Sequence, residues 1–162
     1  MKNLIFLLFI FTTTFVNAQT TDNSKKLFQK VTGGVIFGTV ASASFMGTER
    51  PFSLGYNLLT NITIVTPKTY HNILYGFADN SLRSLNGYFL NNNWDTYLLY
   101  SNTLHTGGNY LGLGIEKMIK IENKGEGIKF FLLTEIGTDF KGNQSLSFGL
   151  LMSVQNKIWK RK

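Results

Sequence analysis

The sequence predicts an all-β protein, an antiparallel up-and-down eight-stranded transmembrane β-barrel. Large apolar and small polar residues alternate with few errors over residues 52–65 and again over residues 145–154. Because successive side chains of a strand point to opposite faces, each segment predicts a strand with one bulky apolar face and one small polar face. A barrel in a membrane needs this division, with apolar residues against lipid and polar residues inside.

Eight such segments can be counted along the chain, and turn residues separate them. Asn91, Asn92 and Asn93 form one break, since asparagine tolerates left-handed backbone angles. Both prolines, Pro51 and Pro67, lie between segments, where they remove no hydrogen bond from a strand. Short connections predict a meander, and eight is the smallest strand number of outer-membrane barrels. The predicted strands are 33–46, 52–65, 69–78, 82–90, 94–102, 109–121, 128–140 and 144–158.

The amino terminus has the features of a cleavable secretory signal peptide. Lys2 precedes a continuous apolar run over residues 4–11, and the small or modest side chains at 16–18 suit cleavage before Gln19. The run is too short for a membrane anchor, which takes about 20 apolar residues. The predicted divisions of the chain are a signal peptide at 1–18, a flexible leader at 19–30, the β-barrel at 31–159 and a basic tail at 160–162.

Composition limits the remaining classes of protein. Charged residues make up 15% of the 162 residues, against about 25% in soluble domains, whereas aromatic residues reach 14%. The absence of cysteine excludes disulfides, thiolate metal sites and a cysteine nucleophile. The formal net charge of +7 would suit a nucleic-acid partner, but the export signal argues against one. We expect no cofactor and no metal.

The alternation also assigns individual residues to the two faces of the barrel. Glu116, Lys129 and Glu135 fall on the glycine-bearing face of their strands, so we expect a polar network in the interior, which Arg83 could join. Buried charges must be paired or hydrated, which predicts carboxylate–lysine or carboxylate–arginine pairs. The residues expected to face lipid are Phe52, Leu54, Tyr56, Leu58, Leu111, Leu113, Phe130, Leu132, Leu146, Phe148, Leu150 and Met152.

Aromatic residues near the predicted strand ends are expected at the two membrane–water interfaces, where membrane barrels carry aromatic girdles. The residues chosen for this role are Tyr70, Trp94, Tyr100 and Trp159. Lys157 and Lys160 lie in a basic segment near the end of the chain, which would contact anionic lipid head groups or remain solvated.

In this pattern the chain resembles the small eight-stranded outer-membrane β-barrels of diderm bacteria over about residues 31–159. The resemblance lies in the arrangement of strands and not in a residue motif. It implies a membrane-embedded, porin-like meander with a packed polar interior, which contacts membrane lipids, is inserted by the barrel-assembly machinery and is a monomer. Such barrels commonly end in an aromatic residue, whereas Trp159 lies three residues before the last residue here.

The leading functional hypothesis is a structural, envelope-integrity role in the outer membrane, without catalysis and without an open pore. One alternative is an exported soluble β-barrel, periplasmic or secreted, that binds a lipid or other apolar ligand with its bulky face turned inward. The other follows from the resemblance, because some small outer-membrane barrels are lipid A acyltransferases or deacylases that use histidine, serine and an acid near the outer rim. Ser101 and His105, with Asp139 or Glu49 as the acid, are the candidate catalytic residues.

Overall fold

The structure, a computed structural model, describes residues 29–46, 52–120 and 127–160. Over these ranges it is all-β, and eight antiparallel strands in up-and-down order form one closed barrel. The predicted fold class is confirmed at this level. The strands are β1 (Lys30–Met46), β2 (Phe52–Val65), β3 (Thr69–Gly76), β4 (Ser81–Phe89), β5 (Trp94–Thr103), β6 (Asn109–Lys120), β7 (Gly127–Thr138) and β8 (Gln144–Lys160).

The predicted strand boundaries agree with the structure to within three residues. Two predicted divisions differ from it, because Lys30 begins β1 instead of ending the leader and Lys160 ends β8 instead of beginning the tail. Both residues extend the β1–β8 ladder, in which they are partners. The predicted signal peptide, the leader up to residue 28 and the predicted turn at 47–51 lie outside the described residues.

Each strand is hydrogen-bonded to its two neighbours, and the pairing of β1 with β8 closes the sheet. These two strands are each 17 residues long, so the closing seam is formed by the longest strands of the barrel. Two irregularities interrupt their register, one between Val31 and Thr32 and one between Ser44 and Met46. Closure pairs every strand on both sides along most of its length, although residues 52–57 at the upper end of β2 have partners on the β1 side only.

The register fixes the inclination of the strands and therefore the width of the barrel. A path of direct strand partners that leaves β1 at Lys30 returns to β1 at Ser42, twelve residues further along. With a rise of about 3.3 Å per residue and a strand spacing of about 4.8 Å, this stagger inclines the strands by roughly 45° to the barrel axis. A larger stagger widens a barrel of fixed strand number. We call the end at which β1 begins the lower end and the opposite end the upper end.

The two faces of the sheet carry different side chains. Large apolar residues point outward, and their exposed fractions are 65% at Phe52 and 49% at Leu150. Gly112 and Ser147 point inward and are buried. All twelve residues predicted to face lipid occupy the outer face: eight of them are exposed hydrophobic residues, and the other four, Leu111, Phe130, Leu146 and Met152, are half-buried.

The interior is more apolar at mid-height than the sequence predicts. At this level seven strands each direct one aliphatic side chain into the lumen, and the register with the inclination places these side chains within about 5 Å of one another along the axis. We call this set the leucine layer. Its members Ile36, Leu59 and Leu74 are buried together, and Leu85 and Leu151 pack against them. The leucine layer comprises Ile36, Leu59, Leu74, Leu85, Leu99, Leu133 and Leu151.

Glycines on the inner wall receive the large side chains of the preceding strand. A Cβ atom at Gly87 would overlap the ring of Tyr70, and one at Gly114 would overlap the ring of Tyr97. Each of these pairs is a direct strand partnership, so both rings lie flat against the neighbouring strand. Aromatic rings placed over strand glycines are a known stabilising arrangement in sheets. Here the arrangement also keeps the rings out of the centre of the lumen.

This fit predicts the effect of adding one methyl group to the inner wall. Gly87→Ala should lower the free energy of unfolding by about 1–3 kcal/mol, because Tyr70 must leave its place or the strand must shift. Gly55→Ala is the matched control, since the nearest atom to its new Cβ would be the Val40 carbonyl oxygen at 3.9 Å. Denaturant unfolding of the detergent-refolded proteins, followed by tryptophan fluorescence, measures both. Equal losses at the two positions would contradict the packing described.

Candidate functional site

The lumen contains a cavity of about 860 Å³. Its lining includes residues from all eight strands, from Lys30 at the lower end to Ser42 at the upper end. Small-molecule sites commonly occupy about 300–1,000 Å³, so this space is large enough for an organic ligand. The packed interior that the resemblance implied is therefore replaced by a lumen with free volume.

Two carboxylates face each other in the lower half of the lumen. Asp95 and Glu116 are direct partners across β5 and β6, and only 3% and 9% of their surfaces are exposed. The hydroxyl of Tyr70 lies 2.9 Å from Asp95 Oδ1 and 3.2 Å from Glu116 Oε1, and it donates its one proton between them. We call these two carboxylates the acidic pair. Both line the cavity.

Above the leucine layer, a second carboxylate site is held by another tyrosine. Tyr110 donates a hydrogen bond of 2.7 Å to Glu135 Oε1, and Tyr97 also faces Glu135. At the same end, the hydroxyls of Ser42 and Ser147 are 2.8 Å apart. These groups lie on the wall formed by β5 to β8 and β1 and give the upper half of the lumen a hydroxyl-rich surface.

The predicted interior network is present in position but differs in its partners. Glu116, Lys129 and Glu135 all line the cavity. The hydrogen bonds to the two glutamates described above come from tyrosine hydroxyls, where the sequence predicted lysine or arginine. Arg83 instead forms an ion pair of 2.6 Å with Asp79, four residues before it. Its positive charge also attracts the carboxylate of Glu135 without a hydrogen bond between them being described.

Tyr70 was predicted as an interfacial aromatic, and the structure places it inside the lumen, with 7% of its surface exposed. The alternation contained the necessary signal, because Ile73 and Tyr75 share one face of the strand and Tyr70 has the opposite parity. The prediction for Tyr70 rested on its position at a strand end, whereas parity decides which face it occupies. Asp95, Tyr97 and Tyr110 were not predicted in the interior, because lysine and arginine were the expected partners of buried carboxylates.

The other predicted interfacial aromatics lie on the outer face. Trp94 and Trp159 are well exposed near the lower end, and Lys117 Nζ is 5.4 Å from the centre of the Trp94 ring, within the range of a cation–π contact. Tyr100 occupies an outward register position but is only 6% exposed, and its hydroxyl donates a hydrogen bond of 2.7 Å to Asn109. Tyr100 is therefore packed on the sheet instead of standing out from it.

The candidate catalytic residues are not brought together. Ser101 is buried on the lumen side of β5, whereas His105 is exposed in the turn that follows the strand. Asp139 accepts hydrogen bonds from the backbone of its own turn and from the side chain of Asn143, and this last bond chiefly holds the pKa of Asp139 below its usual value. Glu49 lies outside the described residues. The arrangement shows no serine–histidine–acid relay among the described members.

Other site classes can be considered over the described ranges. No group of three or more histidine and acidic side chains there is placed to hold a metal ion. No helix of sufficient length and hydropathy to cross a bilayer occurs in the same ranges. Comparisons with known protein families, with curated proteins and with solved structures find no match for this chain. The geometry of the lumen and of the outer face is therefore the basis for any functional proposal.

The shared hydroxyl at the acidic pair predicts a matched pair of substitutions. Tyr70→Phe should lower the free energy of unfolding by about 1–3 kcal/mol, because two buried carboxyl groups lose the hydroxyl donor that they share. Tyr75→Phe is the control, since its hydroxyl bonds to Asn80 on the exposed surface, and a change within about 0.5 kcal/mol is expected. Denaturant titration of both refolded variants provides the comparison. An unchanged free energy of unfolding in Tyr70→Phe would show that the acidic pair does not depend on this hydroxyl.

Proposed function

We propose that this protein is a small outer-membrane β-barrel with a structural, envelope-integrity role and no open pore. The observation that carries the proposal is the outer face of the closed barrel. Among the described residues, 27 large hydrophobic side chains are exposed and only six are buried. A soluble monomer seldom exposes a continuous apolar patch beyond a few hundred Å², whereas a lipid-facing barrel requires an apolar belt on all sides.

The backbone arrangement supports the same environment. The hydrocarbon of a bilayer offers no hydrogen bonds, so a sheet can cross it only if every strand edge is paired. Closure of β1 onto β8 supports this environment, because each described strand then has two neighbours and the segments paired on one side only lie at the ends of strands. The predicted signal peptide would deliver the chain across the inner membrane, and the barrel-assembly machinery would insert it as a monomer.

The lower end has the composition expected at a head-group region. Trp94 and Trp159 are exposed there, and Lys117 lies over the Trp94 ring. Lys157 and Lys160 lie near the end of β8 at the same rim. Tryptophan prefers the membrane interface, and lysine is attracted to anionic lipids. We propose that this end, where β1 begins and β8 ends, lies at the periplasmic surface.

The absence of an open pore is supported by the leucine layer. Aliphatic side chains from seven strands surround the lumen at mid-height. Narrow apolar constrictions lose water and thereby block ions even when they are not closed sterically. The proposed barrel is thus sealed by hydrophobicity at its centre, with hydrophilic space above and below.

The two alternatives receive less support. A soluble carrier of an apolar ligand requires the bulky face to point inward, and Leu54, Leu113 and Leu150 point outward. A rim enzyme requires Ser101 and His105 to meet, and they lie in different surroundings. The structural role is therefore the proposal we retain.

Depth-dependent arginine substitutions test the membrane location. Leu150→Arg lies at mid-height on β8 and should lower the free energy of unfolding of the liposome-folded protein by about 2–4 kcal/mol. Phe52→Arg, at the upper end of β2, should lower it by only about 0–1 kcal/mol. In water both side chains are well exposed, so a soluble barrel would tolerate the two changes equally. Urea titration of the liposome-folded proteins gives the two values. Recovery of the wild-type protein in the soluble fraction after lysis without detergent would overturn the proposal.

Conductance in planar bilayers tests the sealing role of the leucine layer. The wild-type protein should show no single-channel steps, while the double substitution Leu99→Ser with Leu133→Ser should produce them, because polar side chains let water cross mid-height. Leu98→Ser is the matched control, since this neighbouring residue points outward, and it should remain silent. Steps from the wild-type protein would show that the lumen is an open pore.

A further inference from the structure

We infer that the lumen binds a single amphiphilic molecule, with a protonated amine of its head group at the acidic pair and an apolar chain passing through the leucine layer. This inference goes beyond the proposed structural role. It depends on the interior of the folded barrel and not on where the barrel resides, so it can fail or hold independently of the membrane proposal.

The first support is free volume in a barrel of only eight strands. The twelve-residue stagger inclines the strands strongly, and strong inclination enlarges the interior. Tyr70 and Tyr97 lie over Gly87 and Gly114, so the largest inner side chains are held against the wall. A cavity of about 860 Å³ remains, a volume that accommodates one small amphiphile and not a folded peptide.

The second support is the order of surfaces along the lumen. The acidic pair lies below the leucine layer. Above the layer lie Glu135, which has Arg83 as a nearby positive charge, and the hydroxyl groups of Ser42 and Ser147. Methylene groups that enter the leucine layer leave water, which favours an apolar chain at this level. A wholly polar ligand would lose its hydration there, and a wholly apolar ligand would leave the carboxylates unmatched. The sequence of surfaces therefore fits a molecule with one polar and one apolar part.

The third support identifies the head group. Tyr70 donates to both members of the acidic pair, and the two carboxyl groups also form a hydrogen bond with each other, which takes up one further proton. Among the described groups acting on Asp95 and Glu116, no cation is found. An alkylammonium group supplies three donors and a positive charge, which matches the remaining acceptor oxygens and the negative charge of the pair.

An anionic head group is the competing chemistry. Lys30 and Lys129 also line the cavity, on β1 and β7. Lys30 is half-exposed at the lower mouth, where water can hydrate it, and Lys129 has interactions of its own. The acidic pair is more deeply buried than Lys30, so a ligand of opposite charge gains more binding free energy at the pair than at Lys30. For this reason we assign the site to an amine.

Calorimetric titration of the full chain in nonionic detergent tests the inference with four short soluble probes. Hexylammonium should bind about tenfold more tightly than hexanol or hexanoate, because of the charge-assisted hydrogen bonds. It should also bind at least about tenfold more tightly than ethylammonium, because four more methylene groups enter the leucine layer. Tighter binding of hexanoate would assign the lumen to anions, and equal or undetectable binding of all probes would overturn the inference.

Variants locate the two parts of the ligand. Asp95→Asn with Glu116→Gln should abolish the preference for hexylammonium over hexanol, whereas Asp139→Asn, in an external turn, should leave it unchanged. Nuclear Overhauser effects between the bound hexylammonium and the wild-type protein test the same assignment without requiring that a variant folds. The methylene next to nitrogen should contact the Tyr70 ring, and the terminal methyl should contact Leu99. Contacts only with outward residues such as Leu98 would show detergent-like surface binding and overturn the assignment.

Discussion

The structure depends on a closed hydrogen-bonded ladder in which successive side chains take opposite faces. Once β1 pairs with β8, every residue of the described strands is committed either to the lumen or to the exterior. Bulky apolar side chains occupy the exterior because the interior has room for few of them, and the small inner residues follow from the same limit. A one-residue slip of any strand would reverse both assignments along its whole length, so register and face are a single constraint.

The lumen shows how that constraint leaves room for chemistry. A glycine on one strand makes space for a ring from the strand before it, and the ring in turn supplies a hydroxyl to a carboxylate on the wall. Tyr70 and Tyr110 each link packing to charge in this way, at the lower and upper halves of the barrel. The leucine layer lies between these polar regions and separates them. Packing, charge compensation and the division of the lumen therefore rest on the same few inner residues.

Much of the fold could be predicted from the sequence, because alternation is a local property. Residues 52–65 and 145–154 specify strand, face and length from their own side chains, and their predicted boundaries agree closely with β2 and β8. The stagger between strands could not be predicted, since it depends on which residues become partners around the whole barrel. Without it, Leu59 and Leu133 read as isolated exceptions on polar faces, whereas in the structure they belong to one layer. The tyrosine–carboxylate contacts were hidden for the same reason, because Tyr70 and Glu116 are 46 residues apart.

The pairing of the first strand with the last has a consequence for the time course of folding. The seam between β1 and β8 joins residues more than a hundred positions apart, such as Ser42 and Ser147, so it can form only after the final strand has emerged. Contacts of such high sequence separation slow folding. Until they form, two long strands present unpaired edges and the outer apolar surface has no stable support. Nascent chains of this protein thus need protection from aggregation until β1 has paired with β8.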